Sequence, residues 1–417
     1  MKLLIYEDES WNNLTPLSYI RPVFELRCGM YTLIERILKN VSTSDVCLFV
    51  RDYLTELVKK RYPYSVNTLE KITDDLLIVD GRCLAGIDFS FSTDKEALYM
   101  SGDDIVYAFI KKENAVKLEG KNLAEILQFV RKLPSIKIPA KIMRYPWNFI
   151  HENAEMIRRD FANCGEKGIE GKFSPQACVK GPDEIFIGEG AEVHPFVVLD
   201  TGSGPIYIEK KAKIFPFSRI EGPCYIGEDT QIMPGANIRE GNTIGPVCRI
   251  GGEVEESIIH GYSNKYHDGF IGHAYIGEFV NLGALTTNSD LKNDYSTVTV
   301  YLNGKPVDTG DIKVGSFIGD HTKTSIGTLF NTGTSVGLMC NITAGGILPK
   351  FFPPFVWYVN NKFMKGFGLE MMLKTARAAM ERRKRVLTQE EENVIRKVYE
   401  MTADMRKAYI SRSAKIK

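Results

Sequence analysis

The chain has 417 residues, enough for two or three domains that each bury a core. Its 44% hydrophobic and 25% charged residues are those of a globular protein, and 53 Lys+Arg against 52 Asp+Glu leave a formal net charge of +1. That balance argues against a field that would gather nucleic acid or an anionic membrane as partner. No apolar run approaches the roughly 18 residues of a spanning helix.

The amino terminus, Met1-Lys2-Leu3-Leu4-Ile5-Tyr6, turns acidic at Glu7, too early for a signal peptide. It reads as a first buried strand of a cytoplasmic protein. Residues 1–165 mix short apolar runs with helical periodicity. Strands are expected at Leu3–Tyr6, Val46–Val50, Leu76–Val79 and Ile105–Ile110, with helices at Met30–Leu38, Leu54–Lys60 and Leu123–Leu133. That alternation predicts an α/β domain, followed by a linker over 166–183. Between Leu14 and Met30 no glycine-rich loop is present. Arg21 and Arg27, with Gly29 ahead of a helix start, suit phosphate through guanidinium forks and free N–H groups. They equally suit ion pairs with Glu7, Asp8 or Glu9. Asp80, closing a strand, stands where a magnesium carboxylate is expected, and Asp103 is its rival.

From 184 to 350 the pattern changes to a period of six. Ile214, Ile220, Ile226, Ile232, Ile238, Ile244 and Ile250 recur without a slip, and mostly small residues follow four positions later, from Ser218 to Val254. Neither a helix at 3.6 nor an ordinary strand at 2 yields this period. A three-sided coil of stacked short strands does, so a left-handed parallel β-helix of hexapeptide repeats is expected. Two stretches interrupt it. One holds His260, Lys265 and His267; the other, 289–311, carries an alternating run before Asn303-Gly304, a hairpin signal. Residues 351–417 read as a helical tail, with helices at 366–385 and 388–410 and a capping box at Thr388 and Glu391. The run Arg382-Arg383-Lys384-Arg385 reads as a solvated helix face.

Three of the six histidines fall between His260 and His273. A transfer of an acyl group from thioester to amine needs a base of near-neutral pKa, which imidazole supplies. Three histidines so close also raise a zinc-lyase reading, although spacings of seven and six do not set a ligand geometry. The eight scattered cysteines, with no C-x-x-C pair, give neither a zinc site nor a disulfide framework.

The stretch His267-Asp268-Gly269-Phe270-Ile271-Gly272 through Val280-Asn281-Leu282-Gly283-Ala284 resembles the acetyltransferase half of the bifunctional bacterial enzymes that make UDP-N-acetylglucosamine. The chain resembles more closely a variant subfamily with a shortened amino-terminal, sugar-nucleotidyltransferase-like domain. The resemblance implies acetyl transfer from acetyl-CoA to an amino-sugar-1-phosphate and nucleotidyl transfer from a nucleoside triphosphate with Mg2+. The three-sided coil with its apolar, insertion-bearing flank predicts a homotrimer, and the resemblance adds acyl-CoA sites between its subunits. The same resemblance casts His267 as general base and Asn281 and Asn288 as sugar-holding asparagines. The chain departs from that family at Glu255-Glu256, where a basic pair normally meets the sugar phosphate, and at Phe270, where a tyrosine is usual. Either Lys265, Arg249 or Lys292 takes the phosphate instead, or the acceptor is another amino sugar. Two other readings stand beside this one: an acetyltransferase with a degenerate nucleotide-binding domain, and a non-catalytic or metal-binding coil.

Overall fold

The computed structural model describes residues 1–85 and 91–414. They divide into two compact units, one formed by 1–14, 20–26 and 31–145, the other by 15–19, 27–30 and 146–417.

The first unit is built on a seven-stranded sheet. Its strands are β1 (Lys2–Tyr6), β2 (Val46–Phe49), β3 (Ser65–Val66), β4 (Leu76–Asp80), β5 (Ala97–Ser101), β6 (Asp104–Ile110) and β7 (Ser135–Lys137), in the order β3-β2-β1-β4-β6-β5-β7. The first four in that order run parallel, and β6 lies antiparallel to both β4 and β5. β1, β2 and β4 are buried throughout, which is why they read as continuous apolar runs. Helices at Leu33–Asn40 and Leu123–Val130 each start on a capping box, Thr32 with Glu35 and Asn122 with Glu125.

The second unit is the expected left-handed parallel β-helix. Its first face holds ten strands, from Gly168–Ile169 to Phe351–Phe352, each paired in parallel with the one a full turn later. All seven in-phase isoleucines are wholly buried in one interior column system. Each contributes roughly 1.5–3 kcal/mol of hydrophobic stabilisation. The small residues at the corners are buried too, and the polar ones are satisfied: Ser218 Oγ donates to the Met233 carbonyl at 2.9 Å and Thr230 Oγ1 to that of Gly245 at 2.8 Å.

Three boundaries differ from expectation. Residues 166–183 are no linker: Gly168–Ile169, Lys172–Phe173 and Cys178–Lys180 pair with the three faces of the following turn, so the coil starts one turn early. The apolar hexad signal is weak there because an end turn has a neighbour on one side only. The first unit closes at Tyr145, because the helix α1 (Pro146–Cys164) packs with the coil. At the other end Trp357–Val359 continues the second face beyond 350, and the tail holds three helices: α2 (Leu369–Glu381), α3 (Gln389–Met401) and α4 (Ala403–Ala414). The insertion forms the expected hairpin, Thr299–Leu302 against Lys305–Asp308, with Asn303 and Gly304 at φ +49° and +78°.

Candidate active site

On the second face, outward residues of successive turns fall into one register. Arg249 stands beside Asn264, Asn264 beside Asn281, Asn281 beside Lys323, Lys323 beside Asn341, and Asn341 beside Trp357. At one edge of this stripe runs a corner column of rings. Tyr262, Phe279 and His321 take the left-handed conformation (φ +55°, +54° and +59°), which the coil's tight corners demand. They stack face to face, Tyr262 on Phe279 at 5.0 Å and Phe279 on His321 at 5.1 Å, which offsets the cost of that backbone. The helix α2 covers the stripe with Thr375, Ala378 and Ala379, and Arg382 and Arg383 follow just past its end. The result is a groove of about 690 Å³ that also takes in His267 and Tyr266. It continues past Lys323 and Thr375 into a cavity of about 210 Å³ lined by Met339, Trp357, Phe367, Met371 and Met372.

Within the groove His267 is exposed, and among the described residues its ring nitrogens have no hydrogen-bond partner. Its position is held through its backbone: Lys265 Nζ donates to the His267 carbonyl at 3.1 Å and to that of Gly251 at 2.8 Å. Burial lowers the Lys265 ammonium to about 8, and burial lowers Lys323, which donates to the Phe279 carbonyl at 2.5 Å, to about 8 as well. Asn281 accepts from Asn264 Nδ2 through its Oδ1 at 2.8 Å, leaving its own amide N–H pair for the groove. An imidazole, amide donors and several cations thus line one channel.

The structure brings His267, Asn281 and Arg249 together and sends the other expected residues elsewhere. Asn288 is not a sugar ligand: it is 1% exposed, its Oδ1 accepts from Gly272 N at 3.0 Å, and its Nδ2 donates to the Gly272 carbonyl at 2.9 Å. Lys265 is spent on carbonyls rather than phosphate. Lys292 lies in a separate hollow with Asn293 and Lys350, its Nζ donating to Ser296 Oγ and the Thr297 carbonyl. Glu255 and Glu256, which replace the basic pair, are themselves paired, Glu255 with Arg239 and Glu256 with His273, each nearest contact 2.9 or 2.8 Å.

His273 is buried between two carboxylates, its Nδ1 2.8 Å from Asp290 and its Nε2 2.8 Å from Glu256. Burial by itself would depress its pKa, but those hydrogen bonds raise it to about 9. His260 is buried, with Nδ1 3.2 Å from the Tyr275 hydroxyl. Among the described residues, no three His, Cys, Asp or Glu groups converge as metal ligands.

The phosphate and metal assignments of the first domain also change. Arg21 is 3% exposed and its carbonyl accepts from Arg51 Nη2, while Glu7 pairs with Arg51 at 2.8 Å. Arg27 belongs to the second unit: its backbone N–H donates to the Tyr275 hydroxyl at 2.8 Å and its Nη1 to the Met30 carbonyl at 2.6 Å. The N–H groups of Gly29 and Met30 are taken by Asn153 and Asp160 of α1, at 2.7 and 2.8 Å, so they offer no phosphate nest. Asp80 is gripped by Arg82, Nε at 3.1 Å and Nη2 at 2.7 Å, and Asp103 is exposed in the turn between β5 and β6. Its neighbour Asp104 pairs with Arg82 and Arg144.

Asn264, Tyr262, Lys323, Arg382 and Arg383 escaped the sequence reading. Counting outward positions along the six-residue register reaches Asn264 and Lys323; no local pattern reaches the two arginines.

Comparison with known proteins covers both units. Residues 3–168 match the family model described as sugar nucleotidyl transferase. The bifunctional sugar-1-phosphate nucleotidylyltransferase/acetyltransferase of Sulfurisphaera tokodaii is 35% identical over 124 residues, 30% of this chain and 30% of that protein. The bifunctional protein GlmU of Wolbachia pipientis wMel is 35% identical over 126 residues, 28% of each chain. The bifunctional protein GlmU of Thermotoga sp. (strain RQ2) is 24% identical over 278 residues, 61% of this chain and 57% of its own. The matches to these three relatives thus span between 28% and 57% of their length.

Proposed function

We propose, for a chain of the GlmU-like family, that the groove of the coil transfers an acetyl group from acetyl-CoA to the amine of an amino-sugar-1-phosphate. The observation that carries this reading is the unpartnered His267 imidazole sharing one channel with the amide N–H groups of Asn281 and with cations. The sugar amine attacks the thioester carbonyl and forms a C–N bond. His267 accepts the amine's proton, and the tetrahedral intermediate collapses by breaking the C–S bond, releasing the CoA thiolate, which takes up the proton. Positioning by the rigid coil lowers the barrier further, since the base is held by its carbonyl tie to Lys265.

In the same reading the first domain transfers a nucleotidyl group to a sugar-1-phosphate. One observation favours a narrower alternative, an acetyltransferase with a degenerate nucleotide domain. Asp80, the carboxylate cast for Mg2+, has both oxygens engaged by Arg82, and Asp103 stands alone in an exposed turn. These residues do not fit a magnesium site. A homotrimer is part of the proposal. Two exposed apolar pairs, Phe196 with Phe217, stacked at 5.4 Å, and Leu285 with Ile326, lie on one corner of the coil.

The test is direct. The full chain is incubated with acetyl-CoA and a panel of hexosamine-1-phosphates while free thiol is measured, and with nucleoside triphosphates and N-acetylglucosamine-1-phosphate while pyrophosphate is measured. Thiol release with at least one amino-sugar phosphate is expected; none with any of them ends the acyl-transfer reading. Thiol release without pyrophosphate release selects the narrower alternative. Light scattering that shows a monomer at micromolar concentration removes the trimer.

A further inference from the structure

Three guanidiniums meet at one end of the groove: Arg249 on the coil, and Arg382 and Arg383 just past the end of α2. Among the described residues none of the three forms an ion pair: Arg249 Nη1 donates to the Cys248 and Asp229 carbonyls at 2.8 and 3.1 Å, its Nη2 and Nε stay clear of them, and the Arg383 Nε is buried without a hydrogen-bond partner. Their neighbours behave otherwise. Arg377 pairs with Glu392, Arg385 with Glu391, and Arg396 with Glu370 and Glu392. Cations at a helix carboxyl end are ordinarily explained by the helix dipole. That explanation serves Arg385, which also lies over the Tyr262 ring at 5.2 Å, but it gives no reason to bury an unsatisfied N–H beside another guanidinium.

The stripe supplies a length scale. Adjacent turns of such a coil lie about 4.8 Å apart, so the five steps from Arg249 to Trp357 span roughly 24 Å. His267 follows Asn264 on the turn next to Arg249, so the base and the three arginines share one end. The other end is the apolar cavity, where Trp357 meets Phe367 edge to face at 4.8 Å. A phosphate bound beside the base must lie only a few bonds from the reacting atom. In a hexosamine-1-phosphate the amine and the phosphate sit on adjacent carbons. In acetyl-CoA the phosphates stand at the far end of the pantetheine arm.

We propose that Arg249, Arg382 and Arg383 form the cradle for the phosphate monoester of the acceptor sugar, doing from the coil and the turn after α2 what Glu255 and Glu256 cannot. This rests on the acyl-transfer reading. The acyl donor then runs the other way: its arm lies along Asn281, Lys323 and Asn341, and its heterocycle enters the Trp357 cavity. Guanidinium forks match the geometry of a phosphate, and two or three of them account for a strong preference for phosphorylated over free amino sugar.

The test compares wild type, Arg383→Gln, Arg383→Lys and the double variant Arg382→Gln/Arg383→Gln in the full chain. The KM values for glucosamine-1-phosphate and acetyl-CoA are determined separately, and glucosamine-1-phosphate and inorganic phosphate are titrated calorimetrically. Loss of charge-assisted contacts should raise the KM for glucosamine-1-phosphate about 10- to 100-fold, with Arg383→Lys intermediate. The KM for acetyl-CoA should move by less than about twofold, and melting temperatures should match wild type. A raised KM for acetyl-CoA with that for the sugar phosphate unchanged overturns the assignment, as does wild type that binds neither phosphate probe. Phosphate binding that Arg383→Gln removes, in a chain that acetylates no amino sugar, upholds the cradle while ending the acyl-transfer reading.

Discussion

The groove of the coil and the strand ends of the first domain treat their charged residues in opposite ways. In the groove, His267, Arg249, Arg382 and Arg383 form no ion pairs among the described residues, and Lys265 and Lys323 have only carbonyl partners. In the first domain, Asp80 is closed onto Arg82, Glu7 onto Arg51, and Asp104 onto Arg82 and Arg144. Buried pairs of that kind are self-sufficient: breaking one is costly, and a ligand has to displace a partner before it can bind. The Arg383 Nε, buried without a hydrogen-bond partner, is held at a cost that a ligand relieves. On the proposed reading, the difference separates charges that serve the fold from charges held for a substrate.

The comparison breaks first at His267. Replacing it with alanine should lower acetyl transfer by about 10²–10⁴, measured as thiol release, with acetyl-CoA binding little changed. His260→Ala should instead act on stability through its contact with Tyr275, and equal losses of turnover from the two would assign both to structure.

The next largest effect belongs to the paired side. Asp80→Ala leaves the Arg82 guanidinium buried with Asp104 as its one carboxylate partner among the described residues, so the first domain should lose about 3–5 kcal/mol, read from denaturant unfolding. A stable Asp80→Ala chain that has lost pyrophosphate release would place Asp80 in catalysis after all.

His273 sharpens the comparison through pH. Its folded pKa of about 9 lies above the ordinary histidine value, so the clamp with Asp290 and Glu256 stabilises fully below about pH 6.5 and is lost as pH rises through 9. The loss is on the order of 3 kcal/mol, and His273→Gln should flatten that part of the stability profile. An unchanged profile would mean that the imidazole is neutral in the clamp.

The smallest effect is expected at Arg27. Its backbone and side chain are tied to Tyr275 and Met30 in the second unit, so Arg27→Ala should leave any pyrophosphate release within about twofold of wild type. A steep loss would return Arg27 to the nucleotide site.

The coil was legible because its period is a direct consequence of its geometry: every sixth residue must fill the interior, and isoleucine does so for seven consecutive hexads. The hairpin was legible for the same kind of reason, since Asn303-Gly304 supplies two consecutive positive φ angles. The groove was only half legible. His267 and Asn281 carried a local pattern, but Asn288 carried a looser one and is spent on the backbone of Gly272. An asparagine that bridges two turns and one that faces a groove look alike until the register is known. Arg382 and Arg383 lie more than 100 residues beyond His267, in a stretch whose charge reads as solvated, and only the packing of α2 brings them to the groove. Gly29 misled in the reverse direction, because nothing local tells that Asn153 will take its N–H.

The placement of the groove along the stack has a dynamic consequence. In a solenoid each turn is braced only by its two neighbours, so terminal turns open at the lowest free energy and the opening spreads inward. The turns from Arg249 to Lys323 lie well inside the ten-strand face, with several turns before them and further strands, Asn341–Thr343 and Trp357–Val359, after. Amide exchange should therefore run as a gradient, fastest near Gly168–Phe173 and slowest around Ile250–Ile276. The register that lines up Arg249, Asn264 and Asn281 then persists through fluctuations that fray the ends, and the site keeps its shape because it is built where the stack has no free end.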